Sequence, residues 1–135
     1  MPWLRVLIKK PLQILNHLRD YYVRVSYPDL HKSFQCTSHL TTQERFKLYK
    51  ISKNCAKIAE IGAYVGASAC CFGAASADAE GKKIICIDTW NNDAMTEGNR
   101  DTWAEFKSNI ADFSEQVIPV HGLSTDVVEQ VRAIT

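Results

Sequence analysis

Lys57-Ile58-Ala59-Glu60-Ile61-Gly62-Ala63-Tyr64-Val65-Gly66-Ala67-Ser68 is the stretch on which the reading of the fold turns. It begins as a short apolar strand over 57–62 that ends in glycine. A second glycine then leads into a run of small residues that predicts a close-packing helix over 67–79, with Gly81 placed to terminate it. Working outward, Lys83-Ile84-Ile85-Cys86-Ile87-Asp88 is a near-continuous apolar strand, the pattern of a strand covered on both faces. Trp103, Phe106, Ile110 and Phe113 lie three, four and three residues apart, which is one face of a helix. Val117-Ile118-Pro119-Val120-His121 is a third strand, and Pro119, which cannot donate to a ladder, puts it at a sheet edge. Ser124 reads as the N-cap of a last helix carrying Val127, Val128 and Val131. Strands separated by helices of this length imply an α/β fold with parallel pairing and right-handed crossovers.

Upstream, Thr41 and Glu44 form a capping-box pattern, and Phe46, Tyr49 and Ile51 follow at roughly helical spacing, so a helix over 42–53 is predicted, with Asn54 at its end. Tyr27-Pro28-Asp29 reads as a turn. Residues 1–35 interleave Arg5, Lys9, Lys10, Arg19 and Arg24 with Trp3, Leu7, Ile8, Leu12, Ile14, Leu15 and Leu18, and Pro11 interrupts the pattern. The favoured reading is a helical extension whose apolar side packs on the domain. The sharper one is a basic amphipathic segment for a membrane surface or a partner. We divide the chain into a basic helical extension, 1–40, and a domain, 41–135.

The net charge of +1 conceals a split. Residues 1–58 carry 11 Lys/Arg against 3 Asp/Glu, whereas residues 59–135 carry 5 against 12. Neither a uniformly basic nucleic-acid binder nor an acidic disordered chain has this distribution, and no nucleic-acid partner is expected. The 46% apolar content over 135 residues allows one packed core. No apolar run approaches the roughly 20 residues that span a bilayer, and the apolar stretch before Lys9 is too short for a signal-peptide core. Five cysteines, Cys36, Cys55, Cys70, Cys71 and Cys86, make a poor disulfide framework and point to a reducing, cytoplasmic address. His31, Cys36 and His39 lie close together but lack a Cys-x-x-Cys partner, so they read as loop residues and no metal site is expected.

The glycine turn between strand and helix carries the chemistry. It lets the backbone approach a ligand closely and offers the free N–H groups of a helix start. Asp88 ends the next strand, where a carboxylate can accept hydrogen bonds from both hydroxyls of a ribose, and a lone acid ending an apolar strand has no evident structural motive. The usual dinucleotide fingerprint is G-x-G-x-x-G, but here the pattern is G-x-x-x-G with Glu60 two residues ahead of it. A carboxylate there would repel a pyrophosphate but suits a cation. That favours S-adenosylmethionine, which carries a sulfonium, an ammonium and a ribose, over NAD(P).

At these residues the chain resembles the class I S-adenosylmethionine-dependent methyltransferases. Glu60 to Ala69 looks like their first motif, with wording similar to the catechol O-methyltransferase type. Ile87-Asp88-Thr89-Trp90 is similar to the second motif, and His121-Gly122-Leu123-Ser124-Thr125-Asp126 to the segment after the third strand of that type. The resemblance covers roughly residues 40–135. It implies a Rossmann-like sheet and a cofactor site in which Glu60 and Gly62 lie at the methionine portion. Gly66 belongs to the glycine turn, and Tyr64 and Ser68 reach the carboxylate or ammonium. Asp88 would hold the ribose, Thr89 and Trp90 lie beside the adenine, and Ser124 and Thr125 border its edge. The residues themselves leave other roles open: a solvated strand position for Glu60, packing over the helix start for Tyr64, core filling for Trp90 and a simple N-cap for Ser124.

The fold implied by the resemblance has seven strands in the order 3-2-1-4-5-7-6, of which this chain supplies the 3-2-1 part. The reading is therefore of a sheet truncated before strand 4, either a fragment or a chain completed by another, such as a homodimer. Strand one is left with an open edge, and no residue can be named as catalytic. The expected function is methyl transfer to a small-molecule acceptor. The alternative is a non-catalytic assembly or binding module.

Overall fold

The computed structural model describes residues 11–76, 80–91 and 100–135. The apolar-basic stretch 1–10 and the end of the small-residue run, 77–79, lie outside the described residues. Three strands, β1 (Lys57–Ile61), β2 (Lys83–Asp88) and β3 (Val117–His121), form one parallel sheet in the order β1-β2-β3. Among the described residues six α-helices accompany them: α1 (Pro11–Ser26), α2 (His31–Gln35), α3 (Thr42–Ser52), α4 (Ala67–Ala74), α5 (Thr102–Asn109) and α6 (Val128–Ile134). This is the Rossmann-like α/β arrangement that the sequence predicts, with β3 and its Pro119 at an edge.

The apolar run of β2 places it at the centre. Its side chains alternate between two faces, as the strand period requires. Ile84 and Cys86 face one cluster, with Cys70, Phe72, Phe106, Ile110 and Val117. Ile85 and Ile87 face another, with Val120 and Val127, and with Val131 and Ile134 of α6 beside them. A third cluster joins Val23, Leu30, Tyr49, Cys71 and Ala74, so that α4 is covered on its outer side by α3 and the chain before it. Along β1 every second residue, Lys57, Ala59 and Ile61, is exposed, Ile61 to 71%.

α3 starts on the capping box that the sequence predicts: the Thr41 side chain accepts from the Glu44 N–H, and the Glu44 carboxylate accepts from the Thr41 N–H. The aromatic face of α5 runs on past Asn109 into a 3-10 turn at Ala111–Phe113, and Phe106 and Ile110 are buried.

Three expectations are corrected. The helix over 67–79 ends at Ala74, where the chain turns and the Ser76 hydroxyl donates to the Phe72 carbonyl at 2.6 Å. Gly81 is therefore a turn residue with φ of +75° leading into β2, and does not terminate α4. Ser124 does not cap the last helix. A turn in which the Asp126 and Val127 amides donate to the Leu123 carbonyl intervenes, and α6 begins at Val128. Nor do the described leucines of the N-terminal segment pack on the domain: Leu12, Leu15 and Leu18 are exposed, and α1 makes its buried contact through Val23, while Trp3, Leu7 and Ile8 lie outside the described residues.

Candidate cofactor site

The register aligns the C-terminal ends of the strands. Glu60 lies opposite Cys86, Ile61 opposite Ile87 and Asp88 opposite His121. Beyond them the Gly62 N–H donates to the Ile87 carbonyl at 2.8 Å and the Gly122 N–H to the Asp88 carbonyl at 3.0 Å. Three loops thus leave the sheet side by side, the crevice in which α/β folds bind ligands.

Asp88 ties two of these loops together. Its Oδ2 accepts from the Tyr64 N–H at 2.7 Å and its Oδ1 from the Trp90 N–H at 2.9 Å. Tyr64 and Trp90 both hold positive φ, at 48° and 46°, a conformation that non-glycine residues adopt only when their surroundings compel it. The indole N–H of Trp90 closes the arrangement by donating to the Tyr64 carbonyl at 2.8 Å. The carboxylate therefore has a structural motive that the sequence did not disclose.

Glu60 points toward the start of α4. The Ser68 hydroxyl donates to Oε1, and the Cys86 thiol donates to Oε2 at 3.5 Å. Burial raises its pKa above the usual carboxylate range. The Ser68 and Cys86 hydrogen bonds oppose that shift, and the negative charge of Asp88 adds to it. Burial likewise pushes the Cys86 thiol up.

Two cavities flank the glycine turn and share Gly62. One, of about 340 Å³, is lined by Glu60, Gly62, Ala63, Tyr64, Ala67 and Ser68, with Ser38, Leu40, Leu48 and Phe72 as its outer wall. The other, of about 190 Å³, is lined by Ile61, Gly62, Ile87, Asp88, Thr89, Gly122, Leu123 and Ser124. Gly62 has φ of +83°, and a Cβ built there would meet no atom within 4 Å, so only open space lies in front of it. Gly66 differs. With φ of +88° at the N-cap of α4, it backs onto Phe106, whose ring lies 3.1 Å from where a Cβ would stand.

Seven of the residues singled out from the sequence line these cavities: Glu60, Gly62, Tyr64 and Ser68 the first, and Asp88, Thr89 and Ser124 the second, with Gly62 in both. Gly66, Trp90 and Thr125 line neither. Trp90 packs in an aromatic cluster, its ring 4.7 Å from Trp103, 4.8 Å from Phe106 and 4.6 Å from His121. Thr125 is exposed and donates to Asp126.

The sequence reading missed the outer wall and what holds it. Arg45 is buried, and its guanidinium donates to the carbonyls of Ser33, Cys36 and Leu40, which fixes the segment carrying Ser38 and Leu40. Beneath it the buried Ser33 hydroxyl donates to the Ala67 carbonyl at 2.7 Å, at the start of α4. The Cys36 thiol, hydrogen-bonded with Cys70 and near Arg45 and Lys32, is held below its ordinary pKa, whereas burial raises Cys71 to about 11. Arg100 donates to the Tyr64 hydroxyl at 2.8 Å while forming a bidentate pair with Glu105, whose pKa that pairing lowers. Nothing in the spacing of Arg45 or Arg100 marks either residue.

A family model described as a methyltransferase domain matches residues 59–134, more than half of the chain. The match runs from β1 through α6 and takes in both cavities' strand-end residues. The chain belongs to this methyltransferase family. No curated protein matches it. The methyltransferase domain thus has its glycine turn and strand-end acid where the fold opens its crevice, and the resemblance seen in the sequence is correct at the level of the family.

Proposed function

We propose that this methyltransferase domain binds S-adenosylmethionine across the two cavities that meet at Gly62, and that its methyl acceptor is a small molecule. The carrying observation is the division of charge between the cavities. Glu60 stands in one and Asp88 in the other, with an unobstructed glycine between them. These residues fit the cofactor. A carboxylate beside a polar, partly apolar cavity suits a methionine portion with its cations. Each oxygen of Asp88 accepts one backbone N–H and retains capacity for a ribose hydroxyl. When bound, the cofactor supplies a methyl group activated on a sulfonium.

The protein's own contribution is binding and orientation. Glu60 is biased toward its protonated form by burial, and a cation beside it favours the ionised form. Binding of a cationic ligand therefore releases a proton, and affinity rises as pH rises through the elevated pKa of Glu60. The loops that line the second cavity are held by Asp88, so the ribose subsite is preorganised before the ligand arrives. Among the described residues β1 pairs with β2 alone, which supports pairing of its other edge with a further strand that would bring the wall against which an acceptor lies. The free thiols of all five cysteines suit a cytoplasmic setting.

Isothermal titration with S-adenosylhomocysteine tests the reading. The folded chain should bind. Ser68→Phe, which fills the first cavity from α4, and Ser124→Phe, which fills the second, should each weaken the binding about tenfold or more while thermal unfolding stays cooperative. A folded chain that gives no heat, or folded variants that both bind as well as the parent, would overturn it.

A further inference from the structure

Helix α1 is amphipathic in the wrong direction for packing on its own domain. Its polar side chains hold it in place: Arg19 and Asp20 bond Gln43 of α3, while Arg24 reaches Thr42 and lies 4.3 Å over the Phe34 ring. Leu15, Leu18, Tyr22 and Val25 recur three, four and three residues apart on the outward side, and Tyr21 stands beside them. All five are between 53% and 68% exposed. Next to them, Leu18 and Tyr22 border a groove of about 340 Å³ that runs to Phe46 of α3.

We infer that this outward face is a membrane-surface contact that seats on anionic lipid. The charge of the segment identifies the occupant. Residues 1–26 carry Arg5, Lys9, Lys10, Arg19 and Arg24 against the single acid Asp20. A segment of net positive charge that carries an exposed apolar helical face with tyrosines upon it matches an interface of acyl chains beneath anionic headgroups. A second copy is the poorer occupant, because a symmetric pair would set this basic segment against itself. Among the described residues no helix is long and apolar enough to cross a membrane, so the contact lies along the surface. This inference does not rest on the cofactor reading.

Vesicle co-sedimentation of the whole chain tests it, using phosphatidylcholine vesicles with and without phosphatidylserine at low and high salt. The chain should bind the anionic vesicles, and salt should weaken the binding. Leu15→Ser with Tyr22→Ser should lower partitioning about tenfold or more. Lys9→Glu with Lys10→Glu, which substitutes none of the five apolar residues of that face, should lower it through charge. Circular dichroism shows whether each variant is folded, and the charge variant decides the matter if the serine variant is not. Absence of binding to anionic vesicles would overturn the inference. So would equal binding by the charge variant, or a dimer in solution that the serine substitutions dissolve.

Discussion

The rim of loops at the strand ends and helix α1 both turn polar groups toward the body of the protein, but they dispose of their apolar groups in opposite ways. At the rim, Asp88 accepts from the amides of Tyr64 and Trp90, and the large side chain of Trp90 is buried among Trp103, Phe106 and His121. In front of Gly62 a Cβ would meet no atom within 4 Å. In α1 the polar side chains find partners on α3 while Leu15, Leu18, Tyr21, Tyr22 and Val25 face outward. The lesson is that the rim buries its large apolar groups and holds its loops with a carboxylate, whereas α1 leaves these apolar groups exposed, which is why a small ligand is proposed for the one and an extended surface for the other.

The comparison predicts that substitutions at the rim cost stability and those on the outer face of α1 do not. The largest effect is expected at Asp88. Asp88→Ala removes two charge-assisted hydrogen bonds and releases two residues held at positive φ, so urea unfolding should show a loss of about 2–4 kcal/mol. A loss below about 1 kcal/mol would break the claim that this carboxylate organises the rim. Gly66→Ala comes next, at about 1–3 kcal/mol, since it combines a left-handed backbone with a tight approach to Phe106 and Ile110.

Glu60 has a smaller effect that appears as a pH dependence. Its folded pKa is raised by burial, so the folded state holds the proton to higher pH than the unfolded chain does. Its favourable contribution is complete below the unfolded pKa and is lost as pH rises through the folded one. Glu60→Gln should therefore flatten the stability profile in that window, as thermal melts across the acidic range would show. An unchanged slope would place the carboxylate in solvent. The smallest effect is expected for Leu15→Ser with Tyr22→Ser, within about 0.5 kcal/mol of the parent, although two large apolar groups are removed. A loss of several kcal/mol would mean that the face is covered within the chain itself.

The same contrast explains what could be read from the sequence. The sheet was legible because the apolar run of β2 and the proline of β3 act through local pattern, which tertiary contacts did not override. The end of α4 was not, because an alanine-rich run carries no change of propensity at 74 to mark a stop. Ser124 was misread as a cap because a turn closed on the Leu123 carbonyl looks like a helix start in sequence. Of the candidate site, the residues along the strand-to-helix turn were legible as motif. The double role of Asp88 was hidden, since it depends on two residues 24 positions before it and two after it that meet only in the fold. Arg45 and the wall it fixes left no pattern, because its acceptors are backbone carbonyls, which no residue type encodes.

The central claim is that one ligand spans both cavities at Gly62. Amide chemical-shift mapping on the isotope-labelled chain with added S-adenosylhomocysteine tests it most directly. The account predicts saturable shifts at Gly62, Tyr64 and Ser68 together with Thr89, Leu123 and Ser124, while Tyr22 and Val25 of α1 stay unmoved. Shifts confined to one cavity, or centred on α1, would contradict it.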